Sequence, residues 1–185
     1  MVSTGTLAEA PREDGGSRSR ARRVIHRQLP CESPPLRLRR KRGEEIQAIG
    51  RSRGGRTSKI HALADDRGRP TAITLTPGNV ADITMAKPLV DAVSAPKRLL
   101  ADKAYDAEHF RNYLASRDIE AVIPSTASRT VPYPLDERAY KRRNIVERFF
   151  CKLKNWRRVP TRYDRLARNY MAAIALAAIV IEWAK

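Results

Sequence analysis

The alternation of strand-like and helix-like segments between residues 57 and 124 limits the fold of this chain more than any other feature. Apolar and polar residues alternate in "TSKIHALAD", and the turn sequence "DDRGRP" separates this segment from a second strand-like one, "TAITLTP". The predicted elements are strands at 57–65 and 71–77, a helix at 82–93 with Asp82 as its N-cap, a strand at 97–102, a helix at 106–118 and a strand at 119–124. This order predicts an α/β fold in which helices pack on a mixed sheet.

The C-terminal part of the chain carries helical patterns only. One helix is predicted from Asp136 to Trp156, and a second from Asp164 to the C-terminus. The second contains the apolar run "MAAIALAAIVIEWA", which includes Glu182 and is short for a bilayer-spanning helix. We therefore expect a helical C-terminus with a buried terminal helix, and no membrane partner.

Residues 1–48 differ in composition from the rest of the chain. They combine Pro, Gly, Ser and Arg without apolar periodicity, and eleven basic residues lie between Arg12 and Arg42. This composition predicts a disordered N-terminal tail, followed by one folded domain over 49–185. The N-terminus has no apolar core, so we expect no secretory signal. The two cysteines predict free thiols in a reducing, cytoplasmic compartment.

The charge of the chain indicates a polyanionic partner. The net charge is +17 at pH 7, with 37 Lys and Arg against 20 Asp and Glu. Nucleic acid is the usual partner of so basic a chain, and an anionic membrane surface is the weaker alternative. A role in RNA binding is supported by the charge alone, because the sequence has no RNP-type aromatic motif and no Cys/His zinc spacing.

One acid stands out in the basic segment 138–168, which contains twelve Lys or Arg and two acids. If this segment begins as one helix, four side chains share a stripe of about 60°, opposite an apolar face: Tyr140, Arg143, Glu147 and Lys154. Glu147 is then either the i, i−4 ion-pair partner of Arg143 or a ligand for a metal ion beside a nucleic acid. Spacing alone leaves both interpretations open.

Asp102 is the second acid of interest, because it ends the strand-like segment "KRLLAD". In α/β folds the carboxyl ends of strands tend to carry ligand-binding groups, although a capping or loop-entry Asp is the alternative. A strand-end Asp and a helical Glu among basic residues fit phosphoryl transfer on DNA. In that chemistry carboxylates hold Mg²⁺ or Mn²⁺ and the basic side chains neutralise phosphates. We therefore predict Asp102 and Glu147 as catalytic, metal-binding residues, and double-stranded DNA as the partner.

The spacing Tyr140-x2-Arg143-x3-Glu147-x6-Lys154 resembles the C-terminal signature of bacterial insertion-sequence transposases of the DDE class. The stretch "LADKAYD" resembles the family's segment around its second catalytic Asp. Two further stretches, "AIGRSRGGRTSKIHALAD" and "LTPGNVADIT", are similar to segments upstream of it. The resemblance covers about residues 48–185, and the type that it most resembles is the IS-five type.

The resemblance implies an RNase H-like fold and a DDE triad that binds divalent metal. It also implies hydrolysis at the transposon ends, strand transfer by the freed 3′-hydroxyl, and action as a homo-oligomer. By position, Asp102 matches the second Asp of the triad and Glu147 matches the Glu. The other signature residues are implied to contact DNA, and we add three basic neighbours to them. The predicted DNA-binding residues are Tyr140, Arg143, Lys154, Lys103, Arg157 and Arg158.

The first Asp of the triad is missing from this chain. In the family it lies on the first strand, in a segment resembling Asp-Ser-Thr, where this chain reads "VIHRQLPCESPPLRLRRKRGEE". The residues His26-Arg27-Gln28-Leu29 can be encoded so that reading one nucleotide later yields Ile-Asp-Ser-Cys. We therefore hypothesise that residues 1–42, approximately, are an out-of-frame translation.

The loss of one carboxylate predicts a poor catalyst or none, because two carboxylates leave a metal pair under-coordinated. Asp14, Asp65, Asp66 and Asp82 are weak substitutes, since none lies on a suitable strand in the right order. The alternative function is a non-catalytic DNA-binding protein, or an inhibitor of full-length transposase. For either function we expect a location at the bacterial nucleoid.

Overall fold

The computed structural model of the chain describes residues 22–26, 30–32, 47–52 and 55–183. In chain order the elements within these residues are β1 (Arg22–His26), β2 (Pro30–Glu32), β3 (Gly50–Ser52), β4 (Gly55–Ala64), β5 (Pro70–Pro77), α1 (Ala86–Asp91), β6 (Arg98–Leu100), α2 (Glu108–Ser116), β7 (Glu120–Val122), α3 (Glu137–Lys141), α4 (Asn144–Lys154) and α5 (Ala167–Trp183). Two short 3-10 helices, Asp82–Met85 and Lys103–Tyr105, precede α1 and follow β6.

The strands form one mixed sheet around the long strand β4. β4 pairs antiparallel with β1, β2, β3 and β5, whereas β1 pairs parallel with β6, and β6 pairs parallel with β7. Because β1, β6 and β7 run in the same direction, their carboxyl ends lie at one edge of the sheet. The predicted α/β fold, a mixed sheet with packed helices, is confirmed.

The predicted hairpin is formed by β4 and β5. Their apolar residues face each other in register, as Ile60 and Leu75 do. The turn between the strands is closed by Asp65, whose Oδ1 accepts the backbone N–H groups of Arg67 and Arg69 at 3.0 and 2.9 Å. This side-chain bonding to the local backbone is the reason that Asp is common in turns.

Apolar side chains cover both faces of the sheet. Leu99 and Leu100, adjacent on β6, belong to different clusters because side chains alternate between the two faces of a strand. The cluster that includes α4 and α5 contains Ile60, Leu100, Val122, Val146, Phe149, Leu153, Tyr170 and Ile174. The cluster that includes α1 and α2 contains Leu63, Val90, Leu99, Phe110, Leu114 and Ile123. The packing within each cluster thereby fixes the positions of its helices relative to the sheet.

Two strands lie within residues 1–48, the segment for which the composition predicted disorder. β1 lies between β4 and β6, and β2 pairs with β4. These two strands fall within the predicted tail, and most of that tail lies outside the described residues. The apolar residues Val24 and Ile25 in β1 form too short a run to be recognised as a strand among the surrounding arginines.

Two helix predictions need correction. The helix predicted from Asp136 to Trp156 is divided into α3 and α4, although Asp136 is its N-cap and accepts a backbone N–H of the first turn at 2.9 Å. Asp164 does not begin the last helix, because its carboxylate binds Arg158 and α5 begins at Ala167.

The last helix, α5, is the predicted terminal helix. It buries Tyr170, Ile174 and Ile181, while Leu176 and Ile179 on its outer side are exposed. Within the described residues no helix combines the length and the hydropathy that crossing a bilayer requires.

Candidate active site

Asp102 lies at the edge of the sheet where the parallel strands end. Between the end of β6 and Asp102, the N–H of Ala101 donates to the carbonyl of Val122 at 3.3 Å, which holds this segment against β7. The 3-10 helix Lys103–Tyr105 begins directly after Asp102. Backbone contacts on both sides therefore position the Asp102 carboxylate, which is 24% exposed.

Glu147 lies in the first turn of α4. The same helix buries Val146, Phe149 and Leu153, each at 3% exposure or less. Burying such side chains stabilises the fold by roughly 1.5–3 kcal/mol each, so the apolar face of α4 sets the rotation of the helix. Glu147 is consequently kept at the surface, with its side chain 40% exposed.

One guanidinium group joins these two carboxylates. Nη1 of Arg143 lies 2.9 Å from Oδ1 of Asp102, and Nη2 lies 2.5 Å from Oε1 of Glu147. The ion pair between Arg143 and Glu147, one of the two interpretations that spacing left open, is therefore present. It is one half of a three-residue cluster in which Asp102, distant in sequence, is the other partner. Both carboxylates therefore lie within hydrogen-bonding distance of one guanidinium group.

Tyr140 adds a hydroxyl group to this cluster. The hydroxyl donates to Oδ1 of Asp102 at 3.4 Å, and the guanidinium carbon of Arg143 lies 5.5 Å from the centre of the tyrosine ring. Burial raises the pKa of the Tyr140 phenol, the nearby Arg143 opposes that rise, and the negative charge of Asp102 adds to it. The phenol therefore stays protonated at neutral pH and acts as a donor.

The junction of α3 and α4 brings Tyr140 and Arg143 to this position. Backbone N–H groups here bind carbonyls three residues back, from Arg143 to Tyr140 at 2.9 Å and from Val146 to Arg143 at 3.2 Å. Such spacing tightens the chain as in a 3-10 helix and separates two α-helices. The stripe predicted for one continuous helix therefore does not extend across the junction. Arg143 is the N-cap residue of α4, whereas Tyr140 belongs to α3.

The other predicted DNA-binding residues lie on the surface. Lys103 is exposed and directly follows one carboxylate. Lys154 is exposed on α4 two turns after Glu147, a distance of about 10 Å along the helix axis. Arg157 and Arg158 are exposed after the end of α4, and Arg158 binds a carboxylate at 3.0 Å. These four residues are not part of the carboxylate cluster itself.

The acids considered as substitutes for the missing Asp lie elsewhere or have other partners. Asp65 pairs with Arg69 at 2.7 Å and follows β4, which runs antiparallel to β1, so it lies at the opposite edge of the sheet. Asp82 is not a helix N-cap as predicted; it lies within a 3-10 helix and binds a lysine of β4 at 3.1 Å. Asp66 is exposed in the same turn as Asp65, and Asp14 lies outside the described residues.

The strand next to β6 ends at the edge where Asp102 lies. In the parallel pairing of β1 and β6, Val24 lies opposite Leu100. His26, the last residue of β1, is two residues beyond Val24, as Asp102 is two residues beyond Leu100. The backbone of His26 is therefore level with that of Asp102 in the sheet.

The two carboxylates fit a hard divalent cation, but they are an incomplete set for two. Carboxylate oxygens suit Mg²⁺ and Mn²⁺, and both groups already bind one positive charge in common. Among the residues that the structure describes, no group of three or more His, Cys, Asp or Glu side chains is arranged to hold a metal. A site for two metals needs further ligands.

Sequence reasoning missed a second charged cluster, centred on Asp106. Its side chain is fully buried and binds Arg111 at 2.7 Å, Arg129 at 3.2 Å and the backbone N–H of Thr126 at 2.7 Å. These contacts join α2 to the loop before α3. The residues that bind Asp106 come from α2 and from a loop some twenty residues later in the chain, so no local pattern in the sequence marks Asp106.

Comparison with known proteins identifies the family. Residues 24–181 match the Transposase DDE domain family. The chain is 36% identical over 126 residues to a transposase assigned to insertion sequence element IS6501 of Brucella ovis, covering 68% of this chain and 97% of that protein. It is 35% identical over 137 residues to one assigned to element IS402 of Burkholderia cepacia, covering 68% of this chain and 63% of that protein.

A solved structure with a similar arrangement is the HTLV-2 integrase catalytic core domain in complex with magnesium. It has a TM-score of 0.43 and 10% identity, and the match covers 76% of this chain and 72% of that one. The family assignment depends on the sequence matches, which cover most of the described chain. This chain therefore belongs to the DDE-domain transposases of bacterial insertion sequences.

Proposed function

We propose that this chain is the catalytic part of an insertion-sequence transposase, in which Asp102 and Glu147 are the carboxylates that hold a divalent metal against DNA. The observation that carries the proposal is the convergence of both carboxylates on the guanidinium of Arg143. Two acids from distant elements have been brought to one positive group at the carboxyl edge of the sheet. Bound Mg²⁺ or Mn²⁺ would supply Lewis-acid stabilisation of the phosphate during DNA strand cleavage and transfer.

In this proposal the other predicted site residues restrain Asp102 and bind the DNA backbone. Tyr140 donates to Asp102 and thereby limits the rotation of its carboxylate. The exposed basic residues predicted to bind DNA are suited to contact backbone phosphates, so DNA affinity falls as the salt concentration rises. They are Lys103, Lys154, Arg157 and Arg158, with Arg143 as the basic residue nearest to the carboxylates. Within the family we assign the chain to the IS-five type, on the spacing of Tyr140, Arg143, Glu147 and Lys154.

We propose that this chain by itself is a poor catalyst, because the first Asp of the triad is missing. The end of β1 is level with Asp102, which is where a third carboxylate would complete the site, and this chain has His26 there. The nucleotide sequence tests the frameshift hypothesis directly. The hypothesis fails if the alternative frame upstream of Gly43 encodes no Asp-Ser segment.

Nicking of duplex DNA that carries the element's ends, with Mn²⁺ or Mg²⁺, tests the site. We expect little or no nicking by the natural chain and metal-dependent nicking by the frame-restored protein. Adding Asp102→Asn or Glu147→Gln to the active form should abolish nicking. Nicking that survives both substitutions would refute the proposed metal site.

A second function is favoured by the pairing of two carboxylates without a third among the described residues. In that alternative the chain binds DNA at the nucleoid without cutting it, or it forms oligomers with full-length transposase and thereby inhibits that protein. Duplex binding that is unchanged by Glu147→Ala, together with failure of the frame-restored protein to nick DNA, supports this alternative.

A further inference from the structure

The guanidinium of Arg143 lies where a metal ion bound by Asp102 and Glu147 would have to bind. It binds Oδ1 of Asp102 at 2.9 Å and Oε1 of Glu147 at 2.5 Å, and carboxylate oxygens are also the ligands that a shared divalent cation prefers. We infer that Arg143 is an internal competitor of the metal, released from at least one carboxylate when metal binds and then available to a DNA phosphate. This inference rests on the proposed metal-binding role of the two carboxylates.

Electrostatics opposes the binding of Arg143 and of a metal ion by both carboxylates at the same time. Two carboxylates that face one volume repel each other, and one positive charge between them offsets that repulsion. A divalent cation offsets it more strongly, but a guanidinium beside the cation adds repulsion between positive charges a few ångströms apart. Arg143 must therefore give up at least one carboxylate when a metal is bound.

The released side chain has a suitable alternative partner. Arg143 is 19% exposed, so its guanidinium can reach solvent without unfolding the core. A guanidinium binds phosphate through two parallel N–H groups as well as it binds carboxylate. Metal binding and the Arg143–phosphate contact are thus coupled, since the same side chain serves the carboxylates in one state and the DNA backbone in the other.

A purely structural role for Arg143 and a competing role predict opposite changes in metal affinity when Arg143 is removed. If Arg143 serves only to align Asp102 and Glu147, removing it lets the carboxylates separate and weakens metal binding. If Arg143 competes with the metal, removing it strengthens metal binding. The sign of the change distinguishes the two roles.

Mn²⁺ binding to the full chain, followed by the electron paramagnetic resonance signal of the free ion, measures that sign. We expect Arg143→Gln to bind Mn²⁺ roughly tenfold more tightly than the natural chain, as expected when a competing charge-assisted contact is lost. Arg143→Lys, which keeps the charge but cannot bridge both groups, should fall between them. The control is Arg142→Gln, which removes the same charge from the exposed neighbouring residue and should change affinity less than Arg143→Gln does.

Equal or weaker Mn²⁺ binding by a folded Arg143→Gln variant would overturn the inference, as would an equal gain in the Arg142→Gln control. Circular dichroism establishes whether each variant is folded. If Arg143→Gln is not folded, the Mn²⁺ affinity of Arg143→Lys is compared with that of the natural chain instead. Asp102→Asn and Glu147→Gln test the underlying site separately. If these two variants bind Mn²⁺ as the natural chain does, the proposed function fails, whatever Arg143→Gln does.

Duplex DNA binding supplies a second readout that needs no catalysis. With Mn²⁺, the natural chain should show a steeper dependence of affinity on salt, by about one phosphate contact, than without metal. Arg143→Gln should show the same salt dependence with and without Mn²⁺. A metal-dependent change that persists in Arg143→Gln would mean that another residue carries the contact.

Discussion

Replacing Asp106 by Asn should lower the stability of the fold in a way that depends on pH. Burial of the Asp106 carboxylate by itself would raise its pKa. Hydrogen bonds from the N–H of Thr126 and from Arg111 and Arg129 outweigh that effect and lower the pKa from 3.8 to about 2. The folded state therefore holds the proton less tightly than the unfolded state does, and the charged carboxylate stabilises the fold.

The size and pH range of this contribution follow from the shift. A difference of about 1.8 pKa units between 3.8 and about 2 corresponds to about 2.4 kcal/mol. We reduce this to about 1–2 kcal/mol, because solvent screens the outer part of the cluster, where Glu108 is 57% exposed. Because the pKa of the folded state is lowered, the contribution is fully present above pH 3.8. It is lost as the pH falls through about 2.

Urea unfolding of the natural chain and of Asp106→Asn at a series of pH values measures this contribution. The difference in free energy of unfolding should be largest above about pH 5 and should shrink by about 1–2 kcal/mol towards pH 2. Asp66→Asn, at an exposed acid in a turn, is the matched control and should show no such shrinkage. A difference for Asp106→Asn that stays constant from pH 5.5 to pH 2.5 would refute the reasoning.

Three further predictions concern stability and DNA binding. Arg162 is fully buried, and its guanidinium donates to backbone carbonyls. Arg162→Ala should therefore lower the free energy of unfolding, measured with urea, by about 3 kcal/mol. Arg165→Ala, at an exposed neighbouring residue, is the control and should lower it by at most about 0.5 kcal/mol. Gly68→Ala should lower the free energy of unfolding by more than about 1 kcal/mol, because φ is +82° and a Cβ would lie 2.5 Å from Cγ2 of Ile145. Lys154→Ala should reduce the slope of log affinity for duplex DNA against log salt by about one while leaving Mn²⁺ binding unchanged.

The parts of the fold that were predictable are those with a local signal. The hairpin of β4 and β5 has alternating apolar residues on both strands and a turn closed by Asp65. The start of α3 at Asp136 is marked by a capping residue of the usual type. In each of these elements the stabilising partners are a few residues apart or share a turn, so their periodicity is visible in the sequence.

The parts that were not predictable depend on contacts across the fold. β1 has too few apolar residues to be recognised alone, and it is ordered between β4 and β6 through pairing with both. The break between α3 and α4 has no Pro or Gly to mark it, since the residues there are Lys141, Arg142 and Arg143. Their order in the chain does not indicate that one of them lies opposite Asp102.

The amino-acid sequence by itself determined the family and the basic character of the chain, because each depends on residue type and on spacing along the chain. The spacing of Arg143 and Glu147 permitted an ion pair but left it open, and the structure shows the pair. Only the tertiary structure decided that Asp102 shares the guanidinium of Arg143 with Glu147. The carboxyl end of a strand meets the start of a helix only when the helix packs its apolar face on the sheet. The metal-binding proposal therefore depends on the burial of side chains such as Phe149 as much as on the acids themselves.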